Sequence, residues 1–286
     1  MPSVNVNRFI TEALRWLPPE TPGKARLARC MLGSYLESQN AIIQGRDDIR
    51  YLTPSLREPV GFYLLIDGVY EVQAVDFVLE RLKPGATFVD VGANIGVFAL
   101  PAARRVGRSG RVIAIEPSPF VFPYLKRNIA LNELSNVRSV QCAAHSRDGE
   151  TIPFYEAPVE HFGMGSLGAQ FHDSPVPVLC RTLDQILNEE QIEKVDVMKV
   201  DVEGFEAAVF EGAEELLAGD KAPLVLFEFC DWAENRLPGG SVGDAQRVLK
   251  RCGYQIWRLK DIVQGRSPLQ NVVTTGFDIL VASKGL

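Results

Sequence analysis

The segment Thr87-Phe88-Val89-Asp90-Val91-Gly92-Ala93-Asn94-Ile95-Gly96-Val97-Phe98 constrains the fold more than any other stretch, because an apolar run passes through a glycine-punctuated turn into helical spacing. It reads as strand, tight turn, helix, the unit from which open parallel α/β sheets are built. Such sheets bind ligands at the carboxyl ends of their strands, where glycines let a nucleoside approach the backbone. The next apolar run, Arg111 to Ile115, leads into Glu116. An acid one βαβ unit beyond the glycine turn is placed to accept hydrogen bonds from ribose hydroxyls, so an adenosine-containing cofactor is expected.

The glycine spacing narrows the choice of cofactor. Asp90-x-Gly92-x-Asn94-x-Gly96 is not G-x-G-x-x-G, and an acid just before the turn would repel a pyrophosphate seated on the helix N-terminus. S-adenosylmethionine brings a sulfonium and an ammonium against one carboxylate, a charge balance that suits Asp90. Asn94 can stand where a glycine is usual, because Asn tolerates a left-handed backbone. Asp90 has a second reading, as an acceptor for loop amide protons.

A further constellation lies in Val195-Asp196-Val197-Met198-Lys199-Val200-Asp201-Val202-Glu203-Gly204. A central parallel strand is buried on both faces, so its charges need partners. Lys199 and Asp201, two residues and roughly 6.6 Å apart, share one face at the carboxyl end. Glu228 interrupts a second apolar run, Leu224 to Phe229. One reading is a buried ion pair of Lys199 with Glu228 or Asp201. The other is catalytic: Asp201 borders the transferred methyl while Lys199 or Glu228 assists deprotonation of the acceptor. A neighbouring carboxylate raises a lysine pKa, so Lys199 suits an electrostatic anchor better than a base. Asp201, Glu228 and Asp231 offer oxygens to Mg²⁺, but their spacing is generic and no metal is expected. His145, His161 and His172 are further candidates for a base.

Val89-Asp90-Val91-Gly92-Ala93-Asn94-Ile95-Gly96, Glu116-Pro117, Asn128-Ile129-Ala130-Leu131-Asn132 and Lys199-Val200-Asp201-Val202-Glu203-Gly204-Phe205-Glu206, in that order, resemble the FkbM family of S-adenosylmethionine-dependent methyltransferases. The resemblance runs from about residue 70 to residue 282. It implies an α/β class I methyltransferase fold: a Rossmann-like, seven-stranded, mostly parallel sheet with helices on both faces. It also implies O-methylation of a hydroxyl on a polyketide, sugar or similar small metabolite. Cofactor contacts are expected from Asp90, Gly92, Ala93, Asn94, Ile95, Gly96, Glu116, Pro117, Ala143 and Asp201. Catalytic roles are expected of Lys199, Asp201 and Glu228.

A net charge of -6 over 286 residues, with no Lys/Arg run, disfavours nucleic acid or an anionic membrane as partner. A small hydroxyl acceptor is expected, with a homodimer through the N-terminal helices as a further expectation. Five scattered cysteines without a C-x-x-C pair indicate buried thiols in a reducing cytoplasm rather than zinc or disulfides. No apolar run reaches the roughly 18 residues of a membrane span, and no signal-peptide core is present, so a cytoplasmic enzyme is expected. Residues 1–69 read as an N-terminal helical extension and residues 70–286 as the methyltransferase domain. Within the extension, Val4 to Trp16 and Lys24 to Gln44 carry helical spacing, and Gly61 to Ile66 with Asp67-Gly68 reads as a short hairpin. Residues 143–177 read as an inserted hairpin with a mobile loop, either a surface excursion or a flap over the cofactor. Glu206 to Leu217 reads as one helix, and Trp232 as packing or as a wall of the acceptor pocket. Two other functions fit the pattern less well: an NAD(P)-dependent oxidoreductase, opposed by the missing G-x-G-x-x-G, and a silent fold acting as an interaction module.

Overall fold

The computed structural model describes residues 4–236 and 240–285. The N-terminal part forms α1 (Val4–Arg15), α2 (Lys24–Leu32), the antiparallel pair β1 (Gln39–Gln44) and β2 (Arg50–Ser55), α3 (Pro59–Asp67) and α4 (Val72–Arg81). A regular alternation follows: β3 (Thr87–Val91), α5 (Ala99–Val106), β4 (Arg111–Ile115), α6 (Phe122–Leu131) and β5 (Val137–Val140). The insertion contributes β6 (Ala143–Ala144), β7 (Thr151–Phe154) and β8 (Val176–Arg181) as a small separate sheet. The chain then runs through α7 (Leu183–Glu189), β9 (Val197–Val200), α8 (Glu206–Glu211), α9 (Glu214–Ala218), β10 (Leu224–Cys230), α10 (Asp231–Glu234) and α11 (Asp244–Arg251). It ends in β11 (Gln255–Arg258), α12 (Leu259–Val263) and β12 (Phe277–Ser283).

The main sheet has seven strands in the order β11-β12-β10-β9-β3-β4-β5, with β12 antiparallel to both neighbours and the rest parallel. This is the sheet the resemblance implied. The strand order reverses between β3 and β9, and the crevice at such a reversal is where open α/β sheets bind ligands. Alternate residues of each strand enter opposite cores: Phe88, Val112 and Val197 join one, while Val89, Ile113 and Met198 join the other. That period of two explains why the strands read as continuous apolar runs.

The extension shares the first of these cores, contributing Leu14, Leu32, Ile43 and Tyr51. Asn128 of α6 ties the two parts together. It accepts from Leu52 N at 2.7 Å and donates to Leu52 O at 3.1 Å and to Ile95 O at 2.9 Å.

Three local expectations are corrected. The helix expected to Gln44 ends at Leu32, where Gly33 takes φ 47°, and the Ile42-Ile43 segment goes into β1 instead. The hairpin expected around Gly61 is the helix α3, because Glu58 accepts from Val60 N and Gly61 N while Pro59 presets the first turn. Asp67-Gly68, read as a hairpin turn, is the end of that helix, with Gly68 at φ 75° donating to Leu64 O. The helix expected from Glu206 to Leu217 is broken after Glu211, since Gly212 lies so close to His145 O that a Cβ would approach to 2.2 Å. The hairpin expected in the insertion forms as β7 with β8. Cys142, Cys180 and Cys230 are buried, whereas Cys30 is exposed.

Candidate functional site

The turn after β3 is held in an unusual backbone conformation over three alternate residues: Gly92 at φ 74°, Asn94 at 51° and Gly96 at 98°. Asn94 thus adopts the left-handed conformation that its residue type was expected to tolerate. Gly92 has a stronger constraint, because a Cβ there would stand 1.8 Å from Asp201 O. The tips of β3 and β9 therefore meet backbone to backbone, and only glycine permits it.

Beyond this contact lies a cavity walled by Gly92, Asn94, Glu116, Ala143, Asp201 and Glu203. At one end Glu116 accepts from Asn94 N and Ser118 N, each at 2.9 Å. Each oxygen has an unused lone pair, which is the geometry that ribose hydroxyls need. Burial pushes the Glu116 carboxyl up to about 7 despite those two amides.

The insertion supplies the roof. Phe154, Phe162, Gly163, Gly165 and Leu167 line the same cavity. Glu156 pins the roof on one side by accepting from Ser118 Oγ at 2.7 Å and Phe120 N at 3.1 Å. Ser166 pins it on the other by donating to Glu203 O at 3.2 Å. The insertion thus lies over this cavity rather than standing out as a surface excursion.

The opposite end of the cavity is charged. Lys199 is 4% exposed, donates to Gly92 O at 2.8 Å, and stands 3.3 Å from Asp201 and 3.5 Å from Asp90. Burial alone would lower its pKa, but Asp201, Asp90 and Glu71 together raise it above the ordinary lysine value. Lys199 is thus a held cation and no base. Burial likewise raises the Asp201 carboxyl, yet Lys199 and a hydrogen bond with Glu228 keep it below the usual carboxylate range. Burial first, then the Asp201 charge, drives Glu228 well above that range, so the proton between the two belongs to Glu228. Glu203, at φ 56°, is pushed by burial and Asp201 up to about 8. Glu206 caps the loop between them, accepting from Val202 N and Gly204 N.

Of the residues expected to touch the cofactor, Gly92, Asn94, Glu116, Pro117, Ala143 and Asp201 line the cavity. Ala93, Ile95 and Gly96 shape the turn from beneath it. Asp90 is fully buried under the turn, and neither of its oxygens has a hydrogen-bond partner. Asp231 lies apart, accepting from Gly276 N, and Asp201, Glu203 and Glu228 are the acids whose oxygens come within 4.8 Å of one another. Lys199 and the Glu228 proton already engage Asp201 there. The three histidines line no part of this cavity: His161 stacks on Phe171, and His145 sits over Gly212. Trp232 is 47% exposed, with Arg236 4.5 Å above its ring. Sequence reasoning passed over Glu58, Tyr70, Glu71, Ser118 and Glu156; the one readable signal was Glu58 directly before Pro59, a helix start.

The family description Methyltransferase FkbM domain matches residues 90–256. A methyltransferase of Sordaria araneosa, sdnD, is 32% identical over 167 residues, which are 48% of this chain and 64% of that one. Methyltransferase 1 of Beauveria bassiana is 27% identical, covering 75% of this chain and 89% of that one. The hexuronic acid methyltransferase AglP of Haloferax volcanii is 26% identical, over 51% of this chain and 58% of its own.

Proposed function

Because the chain belongs to the FkbM methyltransferase family, with S-adenosylmethionine as its cofactor, we propose that it methylates a hydroxyl oxygen on a small metabolite such as a polyketide or a sugar. The cofactor supplies an activated methyl group on sulfur, so the protein's work is orientation, shielding from water and handling of one proton. The residues at the sheet edge fit that ligand. Gly92 brings the backbone of the β3 turn against the cavity, Glu116 waits with free lone pairs at the sugar end, and the ionised Asp201 offers negative charge at the sulfonium end.

The observation that carries the oxygen-methylation reading is the set of carboxyls around Asp201. A hydroxyl must lose its proton as its oxygen is methylated, and an acid held near neutrality is suited to accept it. Lys199 is fixed as a cation and Glu228 as a neutral acid that donates to Asp201, which leaves the remaining raised carboxyls, Glu203 at about 8 and Glu71 at about 7, to take the proton. Lys199 and Glu228 then serve as the frame that keeps Asp201 ionised. The roof made by Phe154, Phe162 and Leu167 excludes water from the reacting atoms.

The experiment is transfer of labelled methyl from S-adenosylmethionine to the small-molecule fraction of a cell extract, followed by isolation of the product. A methyl ether is the expected product. A methylated amine, thiol or carbon would contradict the assignment to a hydroxyl while leaving the family reading intact. No helix among the described residues is long and apolar enough to cross a membrane.

A further inference from the structure

A second cavity, about 350 Å³, opens between the extension and the sheet. Its walls include Glu20, Tyr63, Asp67, Tyr70, Glu71 and Ile279, and most of its remaining surface is apolar. No basic side chain is among the described residues that line it, and the one partner of Asp67 is the buried Lys24 behind the wall. Tyr70 and Glu71 line this cavity, and Asp201, which lines the first, is near enough for its charge to act on both. Tyr70 hydrogen-bonds the Glu71 carboxyl, which feels the charges of Asp201 and Lys199.

Glu71 is unusual in its backbone as well as its place. It adopts φ 50° and ψ 53°, a left-handed conformation that costs an L-residue other than Gly or Asn about 1 kcal/mol. It stands at the N-cap of α4, yet its carboxyl makes no cap hydrogen bond. Strain of this kind persists where the surrounding structure fixes the residue, and here the carboxyl is turned to Tyr70, which hydrogen-bonds it, within the field of Asp201 and Lys199. Burial, and then the Asp201 charge, push the Glu71 carboxyl up to about 7.

We infer that the second cavity seats the methyl acceptor and that Glu71 is the catalytic base for its hydroxyl, the acceptor being an uncharged molecule with an apolar or aromatic body. The inference rests on the proposed oxygen methylation and locates its second substrate. As the oxygen–carbon bond forms, the carbon–sulfur bond breaks with its electron pair left on sulfur, and the hydroxyl proton passes to Glu71, which later releases it to water. The neighbouring groups leave Glu71 this role. Lys199 is held protonated, Glu228 carries the proton it shares with Asp201, Asp201 is too weak a base, and Glu203 opens into the cofactor cavity. A carboxylated or phosphorylated acceptor would meet the carboxyls of Glu20 and Glu71 and no basic side chain in the wall, since the Asp67 charge is already matched by Lys24.

The test uses the protein saturated with S-adenosylhomocysteine and two fluorescent probes, 7-hydroxycoumarin and 7-hydroxycoumarin-3-carboxylate. The neutral probe should bind about tenfold more tightly than its carboxylate. Val72→Trp, which fills the cavity, should weaken the neutral probe about tenfold while S-adenosylhomocysteine affinity, read by calorimetry, stays within about twofold. Glu71→Gln should keep the neutral probe, narrow the preference over the carboxylate, and slow methyl transfer to the extract acceptor about 100-fold with loss of the rise in rate between about pH 6 and 8. Equal binding of the two probes, probe binding untouched by Val72→Trp, or an unchanged pH profile in Glu71→Gln would each overturn the inference. Failure of the unsubstituted protein to bind S-adenosylhomocysteine would instead overturn the reading beneath it.

Discussion

The cavity at the β3 turn and the cavity lined by Tyr70 and Glu71 are built by different means. The floor of the first takes its shape from backbone: a turn of alternating left-handed residues after β3, amides that hold Glu116, and the contact of Gly92 with Asp201 O. The neighbouring cavity takes its shape from side chains that arrive from residues 19–20, 63–74, 259 and 279. Side-chain replacement barely alters a framework made of backbone, whereas it can remodel freely a surface made of side chains. Asp201 belongs to the first construction and Glu71 to the second, and chemistry is expected where they adjoin.

The largest effect should come from striking the backbone side. Gly92→Ala places a Cβ within 1.8 Å of Asp201 O at a φ of 74°, so the tips of β3 and β9 must separate. Calorimetry should show S-adenosylhomocysteine affinity reduced by more than about 100-fold, together with a lower melting temperature. Retained affinity would mean that the turn is not the cofactor's seat.

Asn128→Ala tests whether the side-chain half is continuous with the core. The substitution removes three hydrogen bonds to Leu52 and Ile95 and strands their backbone groups. Urea unfolding should show a loss of about 2–4 kcal/mol in a single transition. Two separate transitions would show the extension unfolding alone. Next, Asp201→Asn removes the charge that Lys199 and Glu228 are arranged around, and turnover should fall about 100-fold with S-adenosylhomocysteine affinity changed by less than about tenfold. Normal turnover would remove Asp201 from the reaction.

The smallest effect is a pH dependence. The Glu116 carboxyl lies near 7 in the fold against an ordinary value near 4.5, so the folded state holds a proton that the unfolded chain releases. Its contribution to stability is complete below about 4.5 and is lost as pH rises through 7. Thermal melts of the ligand-free protein should therefore decline between about pH 5 and 8, and Glu116→Gln should flatten part of that decline. An identical slope in the variant would mean that Glu116 is already ionised in the fold.

The same division governs what the sequence discloses. The turn at Gly92-Ala93-Asn94-Ile95-Gly96 and the acid at Glu116 are legible because local chemistry sets them: glycine and asparagine for a left-handed backbone, a strand end for the carboxylate. The Lys199–Asp201 pair is legible because strand periodicity places residues two apart on one face. Glu71 is not, since its meaning lies in proximity to Asp201, which stands far away in the chain. The helix α3 was hidden differently. Gly61 and Asp67-Gly68 imitate turn signals, but Gly61 is there because a Cβ would stand 2.0 Å from Ser55 O, and Glu58-Pro59 sets the helix start. A close approach and a turn leave the same residue in the sequence.

The most direct measurement is a crystal structure with S-adenosylhomocysteine bound. The ribose hydroxyls should lie within hydrogen-bonding distance of Glu116, with the sulfur turned toward Asp201 and the opening at Glu71. A nucleoside bound elsewhere, with Glu116 touching only the amides of Asn94 and Ser118, would contradict the account.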